Sequence, residues 1–131
     1  MHATMAALGG TLFILGDDPR YLSPERAALL TDPDGLALAK EGVAARPLEL
    51  RETPPPVWVG RTRDGAVVVG LFNWGDVPAR RTVQFSRLGL DPARPYHVRD
   101  LWHAEAGVVT VRGAYTLALA PRSGALLRIE P

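Results

Sequence analysis

From Pro47 onward the chain repeats one short pattern: a few residues of alternating or β-branched apolar character, then a break of Gly, Pro, Asp or Asn. A period of two sends successive side chains to opposite faces, and turns this closely spaced leave room for short antiparallel strands and little else. The strand candidates run from Leu48 to Arg51, Val57 to Thr62, Ala66 to Asn73, Arg81 to Ser86, Tyr96 to Leu101, Val108 to Arg112, Tyr115 to Ala120 and Ala125 to Glu130. Sheets with one buried and one wet face pack in pairs. The expected fold is therefore mainly β, an antiparallel Greek-key β-sandwich of about eight strands. Arg63-Asp64-Gly65 lies between two valine-rich runs, and Asp-Gly supplies the positive φ of a tight hairpin. The prolines Pro54-Pro55-Pro56 donate no ladder hydrogen bonds, so they mark an edge or a rigid lead-in to the next strand.

The first forty residues have a different texture. Gly10 to Leu15 is a continuous apolar run ending in Gly16-Asp17-Asp18-Pro19, which is how a strand buried on both faces reads in a parallel sheet. Ser23-Pro24-Glu25 then starts a helix: the hydroxyl caps free amides, proline suits the first position, and glutamate favours the positive end. That helix should stop before Asp32-Pro33, and a second short helix fits Asp34 to Lys40. The seam between the two textures lies near Gly42 to Pro47.

Composition removes several function classes. The 131 residues suit one modest core, and 47% apolar content excludes a disordered tail. There is no cysteine, so disulfides, thiolate metal sites and a cysteine nucleophile are impossible. Arginine and lysine nearly balance the scattered acids, with a net charge of +1, which leaves no basic block to track nucleic acid. No stretch approaches the roughly 20 apolar residues that span a bilayer. The N-terminal apolar run lacks a basic lead and is interrupted by Gly9-Gly10, so it does not read as a secretory signal.

Few residues offer chemistry. His2, His97 and His103 have neither helical metal spacing nor the acidic neighbours of known metal loops, so no metal and no cofactor are expected. Ser23, Ser86 and Ser123 lack a glycine-flanked nucleophile elbow and read as caps or turns. Asp17 and Asp18 follow the buried-strand run, and the carboxyl end of a parallel strand is where such folds place substrate groups. Against this, one of them is equally suited to capping the turn into Pro19 while the other faces water. As a catalytic pair they are poor, because neighbouring side chains diverge. Trp74, in the turn Asn73-Trp74-Gly75-Asp76, is the aromatic best placed for exposure and sugar stacking, although packing is the commoner use of such a ring. Asp17, Asp18 and Trp74 are thus the carbohydrate-binding candidates, with no catalytic residue among them.

The segment Ala6-Ala7-Leu8 through Leu12-Phe13-Ile14-Leu15-Gly16-Asp17-Asp18, followed by Leu22-Ser23-Pro24-Glu25 and Leu29-Leu30, resembles the end of the catalytic barrel in melibiase-type alpha-galactosidases. Leu71-Phe72-Asn73, Leu88-Gly89-Leu90, Tyr96-His97-Val98-Arg99-Asp100-Leu101-Trp102 and Ala120-Pro121 with Ala125-Leu126-Leu127-Arg128-Ile129 resemble the antiparallel C-terminal domain that follows it. The resemblance implies a last barrel strand at about Thr11 to Gly16, a last barrel helix from Pro24 and a β-sandwich from about Leu48. It divides the chain into a barrel remnant, 1–45, and a C-terminal sandwich, 46–131. The family's nucleophile and acid/base are aspartates on earlier barrel strands, used in a retaining double displacement, and nothing in this chain matches them. A (β/α)₈ barrel needs about 200 residues or more, so this chain cannot contain one. Where the family commonly carries Asn-Gln-Asp after the last barrel helix, this chain reads Ala39-Lys40-Glu41-Gly42, so a glycosidase acting on another α-linked sugar fits as well.

Two functions compete on these grounds. One is the C-terminal part of an alpha-galactosidase-like glycoside hydrolase, inactive alone, whose partner is a catalytic barrel in the same or a companion chain. The other is a free-standing β-sandwich module that binds carbohydrate or protein. A third possibility is a purely structural or interaction role, in which the apolar N-terminal strand recruits a partner or, by self-association, a second copy through edge pairing or domain swapping.

Overall fold

The computed structural model describes residues 1–10 and 18–131. Three short helices come first: α1 (His2–Leu8), α2 (Pro24–Leu30) and α3 (Pro33–Glu41). α2 begins at Pro24 as the sequence predicts, and α3 extends the expected Asp34 to Lys40 helix by one residue at each end. The Ser23 hydroxyl accepts from the Arg26 amide at 3.4 Å, and the Asp32 carboxylate accepts from the Gly35 amide at 2.8 Å. Gly42, with φ of +73°, closes α3 in the left-handed conformation that glycine tolerates. The expected barrel strand over Thr11 to Gly16 lies outside the described residues.

Eight strands follow: β1 (Arg46–Pro47), β2 (Val57–Arg61), β3 (Val67–Asn73), β4 (Ala79–Gln84), β5 (Tyr96–Asp100), β6 (Val108–Val111), β7 (Ala114–Leu119) and β8 (Ser123–Glu130). They form a six-stranded sheet in the order β1-β2-β3-β8-β5-β6 and a two-stranded sheet of β4 and β7, with every pairing antiparallel. The β2–β3 hairpin turns at Gly65, whose φ is +90° and whose amide donates to the Thr62 carbonyl at 3.0 Å.

Two expected strands are corrected. Leu48 to Arg51 is not a strand: the Leu48 amide donates to the Val57 carbonyl at 2.9 Å, and the chain then bends away toward Pro54, Pro55 and Pro56, which have no N–H to extend a ladder. The strand expected over Arg81 to Ser86 runs from Ala79 to Gln84 instead. Phe85–Leu88 is a 3-10 turn closed by Gly89 at φ of +73°, which sends both Phe85 and Leu88 inward.

The six-stranded sheet is buried on both faces at its centre, along β3 and β8, while the edge strand β6 is largely exposed. Its inner face, with Val67, Val69, Leu71, Val98, Leu127 and Ile129, meets Val83, Phe85 and Leu119 of the opposing layer. Its outer face presents Val68, Phe72 and Leu126 to Ala7 and Leu8 of α1, Leu38 of α3 and Val43. Every residue of β3 is consequently buried, although it belongs to an antiparallel sheet. The helices approach closely where the sheet and α3 have no side chain: a Cβ at Gly70 would lie 2.3 Å from Leu8 Cδ1, one at Gly60 2.3 Å from Val43 Cγ1, and one at Gly35 2.2 Å from the Trp102 ring.

Candidate functional site

Of the three carbohydrate-binding candidates, Asp17 lies outside the described residues. Asp18 opens a 3-10 turn, Pro19–Tyr21, and accepts the Arg20 guanidinium through both carboxylate oxygens, at 2.6 Å for the closest contact. The Arg20 hydrogen bond holds the Asp18 carboxyl below the usual aspartate range. Trp74 is half-buried, its ring stacked on Phe72 with centroids 4.9 Å apart. Its indole N–H donates to the Pro55 carbonyl at 3.1 Å, and the Trp58 indole donates to the same oxygen at the same distance. The proline run therefore serves as a rigid acceptor for two tryptophans, and Pro56 adds an acceptor for the Phe72 amide at 2.8 Å. Neither Asp18 nor Trp74 lines either of the two grooves that flank the six-stranded sheet.

Two surface grooves flank the six-stranded sheet. The first, of about 480 Å³, lies between α3 and the outer face of β5, β8 and β6. Its charges are matched internally: Arg99 to Asp34 at 3.2 Å, Arg128 to Glu130 at 2.7 Å and to Asp64, and the Glu41 carboxylate to the Arg63 amide. His97 shares a hydrogen bond with Thr110 at 3.0 Å. The Thr62 hydroxyl, and after it Arg128, hold the Asp64 carboxyl below its ordinary range. A general acid or base has to be available to a substrate proton. These carboxylates are instead committed to arginines and amides, which locks the hairpin tip against α3 and β8. Among the described residues no three His, Asp or Glu side chains converge as a metal site.

The second groove, of about 670 Å³, opens at the other end of that sheet, between β1–β2 and the Phe85–Leu88 turn. Pro47, Leu48, Val59 and Leu88 form its apolar floor, and its charged lining consists of Arg46, Arg61 and Arg87 with no carboxylate. Arg61 donates from Nη2 to the Leu88 carbonyl at 2.9 Å. Arg87 makes a two-pronged contact with Glu49 at 3.1 Å on each arm, which holds the Glu49 carboxyl below its usual range. Arg46 has no carboxylate partner among the described residues. Sequence reasoning did not find this groove, because its arginines come from three separate segments and only the fold brings them together.

A sequence model described as the alpha galactosidase C-terminal beta sandwich domain matches residues 52–129. Alpha-galactosidase 3 of Arabidopsis thaliana is 25% identical over 118 residues, covering 87% of this chain and 27% of that protein. The GH27 β-L-arabinopyranosidase of Geobacillus stearothermophilus superposes with a TM-score of 0.84 at 23% identity, covering 99% of this chain and 29% of that one. The isomalto-dextranase of Arthrobacter globiformis T6, solved with panose, superposes with a TM-score of 0.76 at 31% identity, covering 97% of this chain and 22% of its own. The chain thus spans between a fifth and a third of the length of these relatives.

Proposed function

Because this chain belongs to the alpha-galactosidase C-terminal β-sandwich domain family, we propose that it is the C-terminal part of a glycoside hydrolase acting on α-linked sugars, with the catalytic barrel supplied by sequence that it does not contain. The observation that carries this reading is the family match over residues 52–129, joined by a fold match that covers 99% of this chain and 29% of the Geobacillus enzyme. The fold match takes in the helices ahead of the sandwich as well as the sandwich. On this reading residues 1–45 close the barrel and 46–131 form the accessory domain. Asp17 and Asp18 then stand at the barrel rim, and Trp74 is available to sugar only through whatever edge its stacking on Phe72 leaves open.

The exposed apolar residues at the N-terminal end support the same reading. α2 carries Ala27, Ala28, Leu29 and Leu30, yet it has no buried residue, and Tyr21 just before it is 84% exposed. A helix of this composition is stabilised by burial of its apolar face. The barrel is the partner that would provide it. The related proteins carry three different activities in their names, so the sugar is assigned here to the barrel and not to the sandwich.

The deciding experiment pairs an assay with a reading frame. The purified 131-residue chain should give no turnover of an aryl α-galactoside, and the coding DNA upstream, or a companion gene, should encode a barrel with two strand-end aspartates. Turnover by the chain alone, or the absence of any such barrel, overturns the proposal.

A further inference from the structure

We infer that the groove lined by Arg46, Arg61 and Arg87 is a binding site for a carboxylated sugar, a uronate or a short oligomer of one. The argument begins with charge. The chain as a whole is nearly neutral at +1, and most of its described carboxylates sit against arginines. In this groove the balance fails at two of its three guanidiniums: Arg87 is neutralised by Glu49 just outside the lining, whereas Arg46 and Arg61 have no carboxylate partner among the described residues. Arg61 is turned toward a backbone carbonyl and Arg46 has no acidic partner among the described residues, so their remaining N–H groups are open to an anion. Guanidinium is the side chain best matched to a planar carboxylate.

The floor decides between kinds of anion. Pro47, Leu48, Val59 and Leu88 offer an apolar surface beside the charges, which suits the C–H face of a pyranose ring better than a bare inorganic ion. An acidic peptide would ordinarily bind such a sheet edge by adding a strand. Here the edge strand β1 is two residues long and its second residue is Pro47, which has no N–H to donate. The edge provides almost no ladder, so the ligand is read by side chains. The choice of a sugar rests on the glycoside-hydrolase reading; the presence of an anion site does not.

The test uses the full 131-residue chain and trigalacturonate as the probe, with neutral galactotriose, sodium sulfate and a hexaglutamate peptide as comparisons. Trigalacturonate should shift the backbone amide resonances of Arg46, Leu48, Val59 and Arg61 in a saturable way, and added salt should weaken it. Galactotriose should leave them in place. Arg46→Gln, which removes no side-chain hydrogen bond or ion pair among the described residues, should weaken trigalacturonate by about tenfold, the loss expected for one charged hydrogen-bonding partner. Arg80→Gln, on β4, should not. The inference is overturned if trigalacturonate does not move these resonances or if Arg46→Gln binds it unchanged. It is overturned equally if sulfate binds as tightly, which means an anion site of no sugar preference, or if hexaglutamate binds more tightly. None of these failures bears on the glycoside-hydrolase reading, which stands or falls on the barrel sequence.

Discussion

The indole of Trp102 donates to the hydroxyl of Thr4 at 2.8 Å, although 98 residues separate them. The same ring fills the space left by Gly35, so one side chain beyond the end of β5 fastens both α1 and α3 to the sandwich. Thr4 is fully buried, and without its hydroxyl the indole N–H loses the one hydrogen-bond partner it has among the described residues. Trp102→Ala should cost about 3 kcal/mol in lost packing. Thr4→Val, which keeps the shape and removes the acceptor, should cost about 1–2 kcal/mol. Urea denaturation midpoints measure both, and a Trp102→Ala protein as stable as the parent would show that the helices are not held by this contact.

The glycine at position 70 makes a second prediction. Leu8 of α1 occupies the place a Cβ would take, and the Phe72 ring edge stands 3.0 Å from it. Gly70→Ala should destabilise by about 1–3 kcal/mol through overpacking. Combined with Leu8→Ala, which opens a cavity at the same spot, the cost should fall clearly below the sum of the single changes. Additive costs would mean that the two residues do not contend for the same space.

The sandwich was legible in the sequence because its signals are local. The Asp-Gly hairpin, the proline lead-in and the alternation in Tyr115, Leu117 and Leu119 each depend on a few adjacent residues, and each forms where expected. α1 gave no comparable signal: it has no side-chain cap and no acid in its first turn, and it is helical because Thr4, Ala7 and Leu8 pack on the sheet. The strand expected at Leu48 failed because apolar character there serves the groove floor and the core edge instead of a ladder. The Trp74 ring stacks on Phe72, and its hydrogen-bond partner, the Pro55 carbonyl, is 19 residues away and could not be read from the chain. The arginine groove was invisible for the same reason on a larger scale.

Acid should destabilise this protein. Asp18, Glu49, Asp64 and Asp76 all have carboxyls held below their ordinary range, with Arg20, Arg87, the Thr62 hydroxyl and Arg122 as the respective leading causes. A carboxylate whose folded pKa is depressed contributes stability that is fully present above its unfolded pKa, about 4, and is lost as the pH falls through the folded value. Tm should therefore be flat with respect to these groups above about pH 5 and should drop below about pH 4. The contacts are largely exposed, so the drop should shrink in high salt. A Tm that rises on acidification across that window contradicts the assignment.

Asn73 supplies the sharpest test of the sandwich interior. It is 2% exposed at the end of β3, and its amide nitrogen donates to the carbonyls of Val77 at 2.8 Å and Ala120 at 2.9 Å. Its side-chain oxygen accepts from the Gly75 amide at 3.1 Å, so one residue joins the β3–β4 loop to the β7–β8 turn. Asn73→Asp keeps the shape but replaces the one nitrogen that carries both N–H donors with an oxygen facing the Val77 and Ala120 carbonyls, and no cation among the described residues is hydrogen-bonded to this side chain. The cost should be about 3 kcal/mol or more near neutral pH. The new carboxyl is better tolerated protonated, so its folded pKa should lie above the unfolded value, and the penalty should be full well above that raised pKa. As pH falls through it, the penalty should shrink, because a neutral carboxyl can return one hydrogen bond to Val77 or Ala120. Thermal melts of parent and variant at matched pH should therefore converge on acidification, and a gap that stays constant from neutral to acid would show that lost amide donors, not buried charge, set the cost.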